Sequence, residues 1–281
     1  SDDPYIHYHV AKLYQDKQRE AQKRKTELER QQGQEGIEAK IKEVEAEIEE
    51  AKRKAIENLL KITEGGQGDK GIYEMILVMD EKNATVHYQY ALMLQAQGER
   101  GDALRHLKRA LELDPNLIGA LTAYADMMLE QKNYDLAIQN YEKALAQLEK
   151  QEQKGPTKSV TIKLGEAYLD SGNLEKAKEL FNKILQEDSR HIQTLTLLGD
   201  LHMKMADFTS AEKYYKDALN AGAKSDVRVK LAKTYMKQNK LAEAEKEFLE
   251  IKTRSPYFGE VYLGLGDIYK GRGEKEKALK E

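Results

Sequence analysis

The stretch Gly66-Gln67-Gly68-Asp69-Lys70-Gly71 spells G-x-G-x-x-G, whose glycines can let a backbone approach a pyrophosphate at the start of a helix. That chemistry needs a strand before the loop and a βαβ unit around it. Here a helical pattern precedes the glycines and no strand-like run lies near, so the stretch reads as a turn. The six histidines are the next candidates, as metal ligands or proton carriers. They do not cluster. His7 and His9 stand two apart, which on a helix puts them on different faces. His202 falls on an inward stripe and reads as a packed residue rather than a ligand. No Ser/His/Asp set and no metal-ligand spacing occurs. Cysteine is absent, which removes thiolate nucleophiles and disulfides. Tyr124, Tyr141, Tyr168, Tyr215, Tyr235 and Tyr269 recur at regular intervals, and core packing accounts for them without a cofactor box. The expectation is a non-enzyme with no catalytic, metal or cofactor residues.

What must position any functional side chain is a repeated helix pair. Between Asn83 and Leu117 apolar and small residues fall twice at helical spacing, with a break at Gly98. Tyr90, Ala91 and Leu94 mark the first run; Ala103, Leu107, Ala110 and Leu111 mark the second, which Asp114-Pro115 closes. The pattern returns about every 34 residues to the end of the chain. Repeats start near residues 84, 118, 158, 192, 225 and 259, the last incomplete. One spacing is longer, and the excess lies in Gln151-Glu152-Gln153-Lys154-Gly155-Pro156-Thr157. There the second helix of repeat two is expected to run on and stop at Gly155-Pro156. A single helix pair cannot bury its apolar face, whereas stacked copies can.

Composition agrees. Of 281 residues 34% are charged and 40% hydrophobic, with four prolines and no tryptophan. The net charge of −3 gives no argument for nucleic acid or an anionic membrane, and no apolar run approaches a membrane span. The absence of cysteine suits a cytosol and a periplasm alike; a cytoplasmic location is the expectation. Ser1 stands where an initiator Met would, as in a trimmed or processed chain.

Ahead of the array, residues 1–66 read as a hairpin of two long helices and residues 67–83 as a connecting helix. Ile37, Ile41, Val44, Ile48, Ala51, Ala55, Leu59 and Ile62 step by threes and fours along the second helix. Folding back at Gly33–Gly36 brings Lys23, Arg24 and Lys25 near Glu43, Glu45 and Glu47, and Asp16 near Lys52, Arg53 and Lys54.

The array resembles the tetratricopeptide repeat over residues 84–281. Leu164-Gly165, Tyr168, Ala177 and Phe181 carry the resemblance in repeat three. Leu198-Gly199, Ala211 and Tyr215 carry it in repeat four, and Leu231-Ala232, Tyr235, Ala244, Phe248 and Pro256 in repeat five. The resemblance implies an all-α fold: a right-handed superhelix of stacked helix pairs, here preceded by an antiparallel, coiled-coil-like helical hairpin. It implies a non-catalytic interaction scaffold that binds a partner peptide or helix in its concave groove, lined by the first helix of each repeat. A structural component joined into an assembly through the hairpin or the convex face is the alternative. In this register the groove stripe is Tyr88 and Leu92, then Thr122, Asp126, Leu129 and Glu130, then Ile162, Glu166, Leu169 and Asp170, then Asp200 and Met203, then Lys233. The chaperone-binding members grip a terminal carboxylate with Lys and Asn at this stripe. Tyr88, Leu92, Ala123 and Asp126 stand at those places, so that activity is not expected. Asp126, Glu166 and Asp200 form instead a ladder of carboxylates between apolar rungs, suited to a protein segment carrying Lys or Arg among apolar side chains.

Overall fold

A computed structural model describes residues 4–31, 36–64, 70–254 and 257–281. Among these residues the chain is helical throughout, with fifteen α-helices and no strand. It divides into two compact units, Ser1–Ala123 and Tyr124–Glu281.

In the first unit, α1 (Pro4–Glu29) and α2 (Ile37–Glu64) pack antiparallel. His7 meets Asn58 at 3.2 Å near one end, and Lys25 meets Glu45 at 2.8 Å near the other. Ala11, Ala55 and Leu59 are fully buried, and Ala21 packs with Val44 and Ile48 against Leu28. Alanine on α1 lets the apolar stripe of α2 come close, which is how a helix with so few large apolar residues still pairs. The basic block faces the acidic one, with Arg24 on Glu47 and Lys25 on Glu45. Among the described ion pairs none joins Asp16 to the basic run of α2: Asp16 pairs with Arg19, and Arg53 and Lys54 both turn to Glu50. Partners three or four residues away on the same helix face cost less side-chain ordering than partners across the hairpin. The expected turn at Gly33–Glu35 and the glycine-rich segment Gly65–Asp69 lie outside the described residues.

Helices α3 (Lys70–Met79), α4 (Ala84–Ala96) and α5 (Arg100–Leu113) continue this unit, and α6 (Ile118–Glu130) crosses its boundary. The second unit continues with α7 (Tyr134–Lys150), α8 (Lys154–Ser171), α9 (Leu174–Glu187), α10 (Ile192–Lys204), α11 (Phe208–Asn220), α12 (Ser225–Lys237), α13 (Leu241–Arg254), α14 (Gly259–Gly271) and α15 (Lys275–Lys280). Each turn between paired helices contains one left-handed residue: Gly98, Lys132, Ala206, Asn239 and Gly273 lie just past a helix end, as does Gly172. Gly98 is the break that the sequence predicts, and the other five stand at the corresponding place of the later repeats. A left-handed residue there lets the amides that follow bond back to the last turn, as Asn173 does to the Tyr168 carbonyl at 2.8 Å. Side chains fix several helix starts: Asn83 accepts from the Val86 amide, Asn173 from Lys176 and Asp207 from Ser210.

The second helix of each pair repeats one device. Ala103, Ala137, Ala177, Ala211 and Ala244 are fully buried, and four residues on stand Leu107, Tyr141, Phe181, Tyr215 and Phe248, all buried. The small residue admits the neighbouring helix and the large one fills the space beside it.

One boundary differs from expectation. The extra residues after repeat two lengthen α7 only in part: it has 17 residues where α5 and α9 have 14, but it ends at Lys150 rather than at Gly155-Pro156, and a turn with Glu152 in the left-handed region follows. They extend the next helix at its start, so α8 has 18 residues where α10 and α12 have 13. Gly155 and Pro156 therefore sit in the first turn of α8. A proline is tolerated there, because the first four amides of a helix have no partner within it.

Two histidines tie stability to pH. His87 and His106 face each other through Nδ1 atoms 2.9 Å apart, and His87 Nε2 lies 3.0 Å from the Glu81 carbonyl oxygen. The carbonyl can only accept, so His87 donates to it from Nε2 and His106 donates to His87 from Nδ1. Burial, then the neighbouring His87 and Arg105, holds His106 below the ordinary imidazole pKa. Burial also lowers His191, whose Nδ1 accepts from the Thr194 amide. Both rings are favoured neutral in the folded state, whereas the unfolded chain takes up the protons near pH 6.5. Stability should therefore fall as the pH drops below about 6.5, until the lower folded-state values are reached. Thermal melts from about pH 8 to about pH 5 should show a falling midpoint, and His106→Phe should flatten part of that slope. An unchanged slope in the variant would assign the loss elsewhere.

Candidate functional site

The first helices of the pairs in the Tyr124–Glu281 unit carry the stripe that the sequence singles out. Residues of α6, α8, α10 and α12, joined by Tyr215 of α11, enclose a cavity of about 570 Å³. Leu129, Glu166, Leu169, Asp170, Asp200, Met203 and Lys233 of the expected stripe all line it. Leu197, Lys204 and Lys230 complete the lining. Leu129, Leu169, Leu197 and Met203 supply its apolar surface, and three carboxylates and three lysines share the lining with them.

The remaining stripe residues lie elsewhere. Tyr88, Leu92 and Thr122 belong to the other unit. The Tyr88 ring packs over Gly119, where an added Cβ would come within 2.6 Å of it, so the ring fills a contact between α4 and α6. Leu92 is 39% exposed, and the Thr122 hydroxyl donates back to the Ile118 carbonyl at 2.9 Å. Ile162 is a correction: at 5% exposure it is a core residue. It lies four residues before Glu166 beside the equally buried Val160 and Thr161, and unlike Leu169, which is buried to the same degree, it does not line the cavity. Glu130 is exposed at the end of α6 and does not line the cavity.

The carboxylates differ from one another in a way that the ladder pattern does not show. Asp126 accepts from the Tyr141 hydroxyl and from Lys163 Nζ at 2.6 and 2.8 Å. Asp200 accepts from the Tyr215 hydroxyl at 2.7 Å and from Lys230 Nζ at 2.7 Å. Burial, reinforced by these carboxylates, holds both tyrosine pKa values far above the ordinary phenol range, so the hydroxyls stay protonated donors. Glu166 accepts only from an amide, Gln193 Nε2 at 3.1 Å, among the described hydrogen bonds. Burial raises its pKa most; Asp170 and Asp126 add to the rise, and Gln193 and Lys163 oppose it. Spacing alone presents Tyr141 and Tyr215 as packing residues. The signal for the second role is the regular offset of 15 residues from each aspartate to a tyrosine that can donate to it.

His202 is buried, as expected, with Nδ1 3.0 Å from Asp207 Oδ2 and its ring stacked on Tyr214. Among the described residues no group of three His, Asp or Glu side chains is arranged to hold a metal. No helix of the described residues is long and apolar enough to cross a membrane.

Comparison with known proteins bears on the fold and on the family. The chain is 25% identical over 192 residues to anaphase-promoting complex subunit 3 of Schizosaccharomyces pombe, covering 66% of this chain and 27% of that protein. It is 29% identical over 184 residues to the Hsp70-Hsp90 organizing protein of Triticum aestivum, covering 64% and 30% respectively. It thus spans less than a third of the length of these two relatives. Among solved structures, a tetratricopeptide repeat protein from Parabacteroides merdae superposes with a TM-score of 0.65 at 18% identity, covering 81% of this chain and 89% of that one. The type IV pilus biogenesis factor PilW superposes with a TM-score of 0.62 at 16% identity, covering 73% and 94%. At such identities these likenesses show the fold alone. The model of the family described as "Tetratricopeptide repeat protein 21 C-terminal ARM domain" matches residues 74–258. With that match over most of the chain, on stacked helix pairs that repeat one alanine–aromatic device, the chain belongs to this family of tetratricopeptide-repeat proteins.

Proposed function

We propose that this chain is a non-catalytic scaffold for protein–protein interaction. In this reading the cavity of the Tyr124–Glu281 unit docks an extended or helical polypeptide segment in which Lys or Arg stands among apolar side chains. The observation that carries the reading is the gathering of seven stripe residues, distant in sequence, around one open space that combines Leu and Met side chains with charged groups of both signs, Glu166 among them. The relatives' names are consistent with it: one is a subunit of a complex, another an organizing protein.

The test is a phage-displayed library of random dodecapeptides panned on the full chain. The parent should retain peptides that bind in the micromolar range, and Met203→Glu should lose them, because it places a charge on the apolar wall; since Met203 also packs against the buried core, a thermal melt of the variant should show that the helices remain paired. Met203 is half-buried and accepts from the Thr234 hydroxyl at 3.2 Å. Retention of the same peptides by Met203→Glu would refute docking at this cavity. A second reading, assembly through the hairpin, is favoured by Tyr5 and Leu13, which are 70% and 62% exposed on α1. It predicts a concentration-dependent mass in light scattering that Tyr5→Ser with Leu13→Glu abolishes.

A further inference from the structure

The three acidic rungs occupy one register of the repeat, but their surroundings do not repeat. Asp126 has Tyr141 fifteen residues on and Lys163 on the next first helix; Asp200 has Tyr215 and Lys230 at the same two places. Each of these aspartates is thereby neutralised from within the array. Around Glu166 the same two places hold Phe181 and Leu197. Phe181 is fully buried and has no hydroxyl to donate; Leu197 brings an apolar branch where its counterparts bring an ammonium. Glu166 keeps only an uncharged donor, Gln193.

Nor do nearby lysines fill the gap. Lys204 is held by the Leu169 carbonyl at 2.9 Å and by Asp170 at 3.3 Å. Lys163 and Lys230 are held by the two aspartates, and Lys233 by Glu260. Glu166 is half-buried on a cavity wall shared with Leu129, Leu169, Leu197 and Met203. A carboxylate part-way out of water, with no cation bonded to it among the described ion pairs, is where an incoming cation gains most, since the desolvation cost is already partly met in the free protein.

Building on the docking reading above, we propose that Glu166 is the specificity-determining residue of the groove, accepting one Lys or Arg side chain of a docked polypeptide whose flanking apolar side chains cover Leu129, Leu197 and Met203. Asp126 and Asp200 join adjacent repeats and recognise nothing. The ladder of three carboxylates is thus one recognition site between two internal ion pairs.

The experiment uses the full chain and the dodecapeptides retained by it. They should share a single Lys or Arg flanked by Leu, Ile, Met or Phe. For one such peptide, fluorescence anisotropy should show Glu166→Gln weakening binding on the order of tenfold. Replacing the peptide's cation with norleucine should weaken binding equally, and the two changes together should cost little more than either alone. Glu166→Gln is isosteric and removes a charge from a partly buried site, so its melting temperature should not fall. Leu197→Lys should also abolish the preference for a cation, by giving Glu166 the internal partner that Lys163 and Lys230 give the aspartates. Retained peptides without a basic residue overturn the assignment of Glu166, and so does an absence of coupling in the double change. In both cases Met203→Glu still abolishes binding and the docking reading stands. If no peptide is retained, or if Met203→Glu retains them all, the docking reading falls and this inference falls with it.

Discussion

Phe181→Ala should lower the stability of the Tyr124–Glu281 unit by ~3–5 kcal/mol. Phe181 is fully buried in α9, and its ring lies over Gly165 of α8, where Cδ1 would be 3.0 Å from an added Cβ. The backbone of α8 thus forms one wall of the ring's site. Removing the ring leaves a void between helices that are held by their other contacts and can collapse only in part, so lost contacts add to the transfer term. In a stacked array each repeat supports its neighbours, so the loss should spread to the α8–α9 pair and the repeats beside it rather than stay local. Urea denaturation followed by far-ultraviolet circular dichroism should show an earlier midpoint. A midpoint within ~0.5 kcal/mol of the parent would mean that the ring is not a packing element of this unit.

Gly199→Ala and Gly266→Ala should move stability in opposite directions. Both glycines follow a leucine at the same register of a first helix, and a sequence reading treats them alike. An added Cβ at Gly199 would overlap the Tyr215 ring, which is buried and anchored through its hydroxyl to Asp200, so the ring cannot swing away cheaply. The overpacking cost of ~1–3 kcal/mol should exceed the helix-propensity gain of ~1 kcal/mol. At Gly266 the nearest atom to an added Cβ is the Ala278 carbonyl oxygen at 3.7 Å, an ordinary contact. There the propensity gain should stand alone, raising stability by ~0.5–1 kcal/mol. Thermal melts of the two variants settle it; destabilisation by both would show that the end pair is as tightly packed as the interior. Repeat five has Ala232 at this register, and its Phe248 ring lies instead against Gly264 of the following helix. The same aromatic thus finds a glycine on one neighbour or the other.

What the sequence by itself determined is the part of the molecule governed by near neighbours. The helical period, the left-handed turn residues from Gly98 to Gly273 and the buried alanines of the second helices follow from spacing alone, because helix ends and faces are set within a few residues. The hairpin was legible for the same reason on one side, where Lys25 meets Glu45, and misread on the other, where Asp16 prefers Arg19 on its own helix. Seven residues of the expected stripe line one cavity because a fixed repeat returns them to one face. Only the tertiary structure decided what those residues do. It buried Ile162, set Tyr88 against Gly119 and placed Gly155 and Pro156 inside the first turn of α8. It also separated Glu166 from Asp126 and Asp200, three carboxylates equal in sequence, by what stands beside each of them in space: a tyrosine and a lysine for the aspartates, a phenylalanine and a leucine for the glutamate. A carboxylate's role is set by its countercharge and its exposure to water, and in a stacked array both come from helices one repeat away.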